Sequence, residues 1–152
     1  LATALAGVTA EKAGFRGYAR RIIQALLRFS REHAGYVRLY CTITASGGPE
    51  ADRLAGEIEG VTARLYTRTI AGGQSGGELR RDLDPEMFAF FFDSLLMMVQ
   101  FAGCCGYYQT RFRLYCGAPL EEAEERLERE LLKFLESAFT FAEEEISHRE
   151  SR

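Results

Sequence analysis

The chain has 152 residues, of which 47% are hydrophobic and 27% charged, and its formal net charge is −3. This length suits a single domain, and the composition excludes both a disordered chain and a strongly basic nucleic-acid platform. The charge is uneven, because residues 121–152 hold eleven acidic and five basic side chains, a net −6.

The first strong helical pattern covers residues 14–33. Its apolar stripe is Phe15, Ile22, Leu26, Phe29 and His33. Its polar side is Arg16, Arg20, Arg21, Gln24, Arg28 and Arg31. The spacing predicts an amphipathic helix. We interpret His33 as a hydrogen-bonded core histidine and the arginines as a solvated face.

Two further helices are predicted between glycine-rich breaks. The first covers roughly residues 35–45. The second covers roughly residues 49–71 and opens with Pro49 in its first turn. Its expected apolar stripe is Leu54, Ile58, Val61 and Leu65.

A long apolar run follows the sequence Asp84-Pro85-Glu86, which reads as an N-cap, a first-turn proline and a first-turn acid. We predict one helix from there to about Tyr115. The run is long enough to span a membrane, but Asp93 near its middle opposes that interpretation and favours a buried core helix. Glu86, Asp93 and Gln100 share one face, which Arg111 continues.

The final predicted helix runs from after Pro119 to about Ile146 and is apolar over about half of its circumference. Two adjacent helices with surplus apolar surface indicate a homodimer. A thick core within one monomer is the alternative. The expected interface residues are Met98, Phe101, Cys105, Tyr108, Phe112, Leu132, Leu135 and Phe139.

The cysteine pattern matches neither a zinc site nor a disulfide framework. The four cysteines are Cys41, Cys104, Cys105 and Cys116. We therefore expect no metal, no cofactor and a cytoplasmic location. Neighbouring cysteines on a helix point apart, so Cys104 and Cys105 are expected to be small buried thiols. A thiol sensor that pairs across two chains is the alternative.

The order of these elements, and above all the stretch Gly77-Glu78-Leu79-Arg80-Arg81-Asp82-Leu83-Asp84-Pro85 before the long apolar helix, resembles the C-terminal regulatory domain of TetR-like (tetracycline-repressor-like) transcriptional regulators. The resemblance covers essentially the whole chain. It implies an all-α, multi-helix orthogonal bundle that dimerises through its last two helices as a four-helix bundle. It also implies a mostly apolar effector pocket and an N-terminal helix-turn-helix, for which residues 1–152 contain no basic recognition helix.

The pocket candidates are large apolar or amphipathic residues, together with the polar pair on the long helix. They are Phe29, Tyr36, Tyr40, Ile43, Tyr66, Phe92, Asp93, Leu96, Val99 and Gln100. Such a lining suits a flat or elongated hydrophobic effector. For each aromatic residue taken alone, plain core packing is the competing interpretation.

We therefore expect three regions: the end of a connecting helix or a linker in residues 1–13, a ligand-binding and dimerisation domain in residues 14–146, and a tail in residues 147–152. DNA would be bound only through an N-terminal domain outside this chain. A stand-alone dimeric binding or scaffold module is the alternative. We expect no enzyme, because no nucleophile, base and orienting group can be assembled from the sequence.

Overall fold

The computed structural model describes residues 14–140, and these residues form helices and turns with no strand among them. The α-helices are α1 (Gly14–Glu32), α2 (Ala34–Ser46), α3 (Pro49–Leu54), α4 (Gly60–Ser75), α5 (Pro85–Cys104), α6 (Gly106–Cys116) and α7 (Leu120–Phe139). The all-α, multi-helix bundle is thus confirmed. The predicted segment 1–13, the last helix beyond residue 140 and the tail 147–152 lie outside the described residues.

Helix α1 packs against both α5 and α7. Its buried face includes Tyr18, Ile22 and Ile23, each at most 1% exposed. At one end of this core, the ring of Phe15 stacks on that of Phe139 with centroids 4.6 Å apart. The predicted amphipathic helix is therefore present and buries its apolar side within a single chain.

The arginines of α1 face the last helix. Arg16 bonds Glu136 at 2.5 Å, Arg20 lies 3.3 Å from Glu128, and Arg31 bonds Glu124 at 2.5 Å. We call these pairs the charge ladder. These three arginines are exposed, as predicted, but the prediction did not include their pairing with acidic residues of α7.

His33 is not the core histidine predicted from the sequence. It is exposed and lies between α1 and α2, with its ring 4.7 Å from that of Phe29 and its carbonyl accepting a hydrogen bond from the Tyr36 N–H. Helix α1 ends at Glu32, so His33 lies one residue beyond the helix and does not continue its apolar stripe.

A π-helical turn, Ala55–Glu59, joins α3 to α4 and moves the buried face by one position. A π turn holds one more residue than an α turn, so side chains beyond it are shifted along the helix surface. Val61, predicted to be buried, is 40% exposed, whereas Thr62 and Tyr66 are buried. Gly56 within the turn and Gly60 directly after it lower the helix propensity here and favour such irregularity.

Helix α5 begins as the sequence predicts, because the Asp84 side chain accepts hydrogen bonds from the N–H groups of Glu86 and Met87, both at 3.0 Å. Within the described residues it is the one helix long and apolar enough to cross a membrane. It packs against α1, α2, α4, α6 and α7, which is the behaviour of a core helix in a bundle.

The predicted single long helix is interrupted at Cys105, whose backbone is extended (φ −106°, ψ 121°). Glycines on either side of the break, Gly103 and Gly106, weaken the helix there. The Gln109 side chain donates to the Gly103 carbonyl at 3.3 Å and so satisfies a group left free by the break. Because α6 has a new direction, Arg111 does not continue the polar face of α5 but lies over the ring of Tyr115.

The Gly77–Pro85 stretch ties three helices together. The Glu78 carboxylate accepts a hydrogen bond from the Phe15 N–H at the start of α1. The Gln74 side chain donates to the carbonyls of Arg80 and Leu83, at 2.9 and 2.8 Å. Gly73 is needed beside this loop, because a Cβ there would lie 2.8 Å from the Leu79 side chain. The Gly77–Pro85 stretch therefore has a structural role, because it connects the start of α1 and the end of α4 to the residues just before α5.

Candidate ligand-binding cavity

A cavity of about 330 Å³ lies between α2, the π turn, α4 and α5. Its volume is at the lower end of the range for small-molecule sites. Eight of the ten predicted pocket residues line it: Phe29, Tyr36, Tyr40, Ile43, Tyr66, Asp93, Leu96 and Gln100. The sequence pattern therefore identified residues that the fold brings together, although ligand binding itself stays a prediction.

Phe92 and Val99 are the two predicted residues that do not line the cavity. Both are buried on other faces of α5, and Phe92 packs its ring against Phe15 and Tyr66. Tyr36 does line the cavity but is 71% exposed, which places it at the mouth. Helical spacing alone did not show which residues of α5 face the cavity and which face the core.

Glu59 is the charged lining residue that the sequence analysis missed. It closes the π turn, and its carboxyl group lies against Tyr40 of α2, Thr62 of α4 and Asp93 of α5. In a regular helix continuing from α3, without the register shift of the π turn, a different residue would point inward. The only sequence signal for the shift is a pair of glycines, Gly56 within the turn and Gly60 directly after it.

Glu59 and Asp93 form a pair of partly buried carboxyl groups joined by a side-chain hydrogen bond. Burial, and then the charge of Glu59, raise the pKa of Asp93 to about 7. Burial also raises the pKa of Glu59, against the opposing effect of its hydrogen bonds with Asp93 and Thr62. Two carboxyl groups this close cannot both ionise without repulsion, so the pair holds one proton at or below neutral pH.

The remaining polar groups of the wall are tyrosines and one amide. The Tyr40 hydroxyl donates a hydrogen bond to Glu59. Tyr66 is 1% exposed, and burial followed by the charge of Asp93 raises its pKa, so its hydroxyl keeps its proton. Gln100 is 8% exposed and faces the cavity. Within the described part of the chain, the lining contains no lysine, arginine or histidine, so none of these residues neutralises the carboxyl pair.

A second cluster of side chains lies beyond the cavity, where Cys41 of α2 meets Cys104 and Cys105. The thiols of Cys104 and Cys105 are 4.0 Å apart. Burial, and then Cys105, raise the pKa of Cys41 to about 11, and burial also raises the pKa values of Cys104 and Cys105. Such thiols are poor nucleophiles at neutral pH, which favours the interpretation as buried packing groups over a thiol sensor.

Five of the eight expected interface residues are buried within the chain. They are Phe101, Cys105, Leu132, Leu135 and Phe139, each at most 7% exposed. Phe101 and Cys105 pack with Val37 of α2, while the α7 residues belong to the main core with α1. Tyr108 and Phe112 are half-buried, and Met98 is 38% exposed. Most of the surplus apolar surface read from the sequence therefore covers neighbouring helices of the same chain.

Apart from Met98, the exposed apolar residues of α5 and α7 lie at positions that were not expected in the interface. On α5, the residues Met87, Phe90, Phe91 and Met98 recur at helical spacing on the outer side. On α7, Phe134 is 59% exposed. Large apolar side chains repeated along one helix face are typical of a surface that meets a partner.

None of the protein-family models, curated proteins or solved structures compared with this chain matches it.

Proposed function

We propose that this chain is the effector-binding and dimerisation domain of a TetR-like transcriptional regulator, located in the cytoplasm, and that it binds a small, mostly apolar ligand in the cavity. The observation that carries the ligand-binding part is the cavity itself, with apolar walls and a few polar groups. The regulator part rests on the sequence resemblance described above.

In this proposal, the ligand acts by a shift between two arrangements of the helices. The cavity lies between α2, α4 and α5, and α5 also contacts α1 and α7. A ligand that fits one arrangement better would therefore move α1 relative to α5. DNA would be contacted by a helix-turn-helix joined to the N-terminal side of α1.

The dimer in this proposal uses the outer face of α5 together with α7. The exposed Phe90, Phe91 and Phe134 support it, because an isolated chain would leave these side chains in water. Light scattering at micromolar concentration should give the mass of two chains. Phe134→Glu should shift the mass towards one chain with little loss of helix content, and a monomeric wild type would overturn this part.

Ligand binding is tested with N-phenyl-1-naphthylamine, a weakly basic dye that is uncharged at neutral pH and fluoresces in apolar surroundings. The wild-type protein should enhance its emission with a saturable profile. Ile43→Trp, which fills part of the cavity from α2, should reduce the affinity at least tenfold. Thr42→Trp is the matched control, because Thr42 is exposed on the same helix and does not line the cavity.

If the dye does not bind, or if Ile43→Trp and Thr42→Trp change the affinity equally, the cavity is not the binding site. The regulator part is tested separately by reading the coding sequence upstream of Leu1. An in-frame helix-turn-helix would support it. A start codon directly before Leu1 would leave a stand-alone helical binding module instead.

A further inference from the structure

We propose that the cavity selects an organic ammonium ion, a protonated amine on a flat apolar body, and that it holds the ammonium group between Glu59 and Asp93. This inference rests on the proposed function, since it names the class of ligand for the same cavity. It excludes fatty acids and other apolar anions as effectors.

The first argument is the balance of charge in the wall. Glu59 and Asp93 enter the cavity from different helical segments, the π turn and α5, and are joined by a hydrogen bond. Among residues 14–140, no cationic side chain lines the cavity. The two carboxyl groups are partly buried, and the desolvation of such groups is normally offset by a paired positive charge. An ammonium group placed between them would supply that charge.

The second argument is an unused hydrogen-bonding group. Gln100 lies two helical turns beyond Asp93 on the cavity side of α5 and is only 8% exposed. Among residues 14–140, its side-chain amide makes no hydrogen bond, and its polar atoms are open to the cavity rather than fully enclosed by protein. Buried amides are normally paired, so this one indicates a polar ligand group in the cavity. Its carbonyl oxygen can accept a bond from an N–H donor.

The third argument is the aromatic character of the walls. Phe29, Tyr36, Tyr40 and Tyr66 contribute rings to the lining. The face of an aromatic ring attracts a cation, and this attraction strengthens as water is excluded. These rings would also stack on a flat ligand body. An anionic ligand would instead meet both the ring faces and the carboxyl pair with repulsion.

Binding of such a cation is coupled to the loss of a proton from the pair. Because Asp93 shares a proton with Glu59 and its pKa is about 7, the empty cavity is protonated at pH 6 and mostly ionised at pH 8. Among residues 14–140, the other titratable side chains of the wall are Tyr36, Tyr40 and Tyr66; the Tyr40 hydroxyl donates a hydrogen bond to Glu59, and burial raises the pKa of Tyr66. The affinity for an ammonium ion should therefore rise from pH 6 to pH 8, by at most tenfold per pH unit below the pKa.

The test compares three probes with nearly the same carbon skeleton: 1-naphthylmethylamine, 1-naphthalenemethanol and 1-naphthoate. Titration calorimetry of the full chain at pH 8 should show the amine binding at least tenfold tighter than the alcohol, with the carboxylate weakest. The amine affinity should fall severalfold at pH 6, whereas the alcohol affinity should change little. Asp93→Asn and Glu59→Gln should each reduce the ratio of amine to alcohol affinity towards one.

Glu136→Gln is the control, because it removes a carboxylate of the charge ladder far from the cavity and should leave both affinities unchanged. If the alcohol or the carboxylate binds as tightly as the amine, the ammonium inference is wrong while the cavity remains a ligand site. If the amine is preferred but both cavity variants keep the preference, the inference is also wrong. If none of the probes binds and N-phenyl-1-naphthylamine does not bind either, the proposed function itself fails.

Discussion

Two groups of carboxylates in this molecule have opposite surroundings. On the outside, Glu124, Glu128 and Glu136 of α7 each meet an arginine of α1 and remain in contact with water. Inside the cavity, Glu59 and Asp93 meet each other and the Tyr40 hydroxyl. The outer acids are balanced in charge, whereas the inner pair is not.

The difference separates carboxylates that are compatible with folding from a pair that opposes it. Exposed ion pairs contribute little to stability, typically below about 1 kcal/mol each, but they do not oppose the fold. An unbalanced, partly buried pair opposes it whenever both groups are ionised. Apolar residues at Glu59 and Asp93 would stabilise the bundle more, so their presence is expected where a site is required for binding.

The largest predicted effect concerns the side of α5 that faces away from the cavity. Phe92→Ala should lower the free energy of unfolding by about 3–5 kcal/mol, because Phe92 is 1% exposed and sits among the rings of Phe15, Tyr66 and Phe139. Urea denaturation measures this loss. Phe91→Ala is the matched control, since Phe91 is 46% exposed on the same helix and should cost far less. Equal losses for the two variants would place the core on the wrong face of α5.

An intermediate effect, which depends on pH, is predicted for Asp93→Asn. The pKa of Asp93 is raised in the folded state, so folding binds a proton that the unfolded chain releases near pH 4. The stabilising contribution of this group is complete below the unfolded pKa and is lost as the pH rises through about 7. The substituted asparagine cannot ionise, and the variant should therefore melt several degrees higher than the wild type at pH 8, with a gain that shrinks steadily towards pH 5.

Thermal unfolding followed by circular dichroism at pH 5, 6, 7 and 8 gives this comparison. Glu130→Gln is the control, because Glu130 is exposed and paired with Arg129 and Lys133, and it should show no gain at pH 8. A lower melting temperature for Asp93→Asn at pH 8 would mean that the ionised Asp93 has a stabilising partner.

The smallest predicted effect concerns the charge ladder. Arg16→Ala should lower the free energy of unfolding by less than about 1 kcal/mol, because the pair with Glu136 is largely exposed and its attraction is screened by water and salt. The difference from the wild type should shrink further in 1 M NaCl. A loss above about 2 kcal/mol, unchanged by salt, would show that Arg16 packs as well as pairs.

Much of the fold could be predicted from the sequence because its signals are local. The apolar stripe of α1 and the Asp84-Pro85-Glu86 start of α5 predicted those helix starts correctly. The break at Cys105 and the π turn could not be predicted, because both depend on how α2 and α5 pack against the irregular segments. The dimer residues were chosen from apolarity alone, and that signal does not distinguish Phe101, which contacts α2, from Phe91, which is exposed.

Only part of the cavity could be predicted, because local sequence signals identify some of its residues and not others. Asp93 and Gln100 attract notice as polar residues in an apolar helix, and the structure places both in the wall. Glu59 lies in a charged, unremarkable stretch of sequence, and only the register shift at the π turn brings it opposite Asp93. Regular helical periodicity does not include the extra residue of the π turn, so it cannot predict that Glu59 lies opposite Asp93.

The most direct test of the central claim, that Glu59 and Asp93 form an unbalanced pair sharing a proton, is a titration of Asp93 by NMR. The side-chain carboxyl carbon is followed in protein labelled with ¹³C-aspartate and is assigned by its absence in Asp93→Asn. The account predicts a midpoint near pH 7 for Asp93. A midpoint near the ordinary aspartate value of about 4 would show that the pair is ionised and balanced at neutral pH, and the charge argument for the cavity would be contradicted.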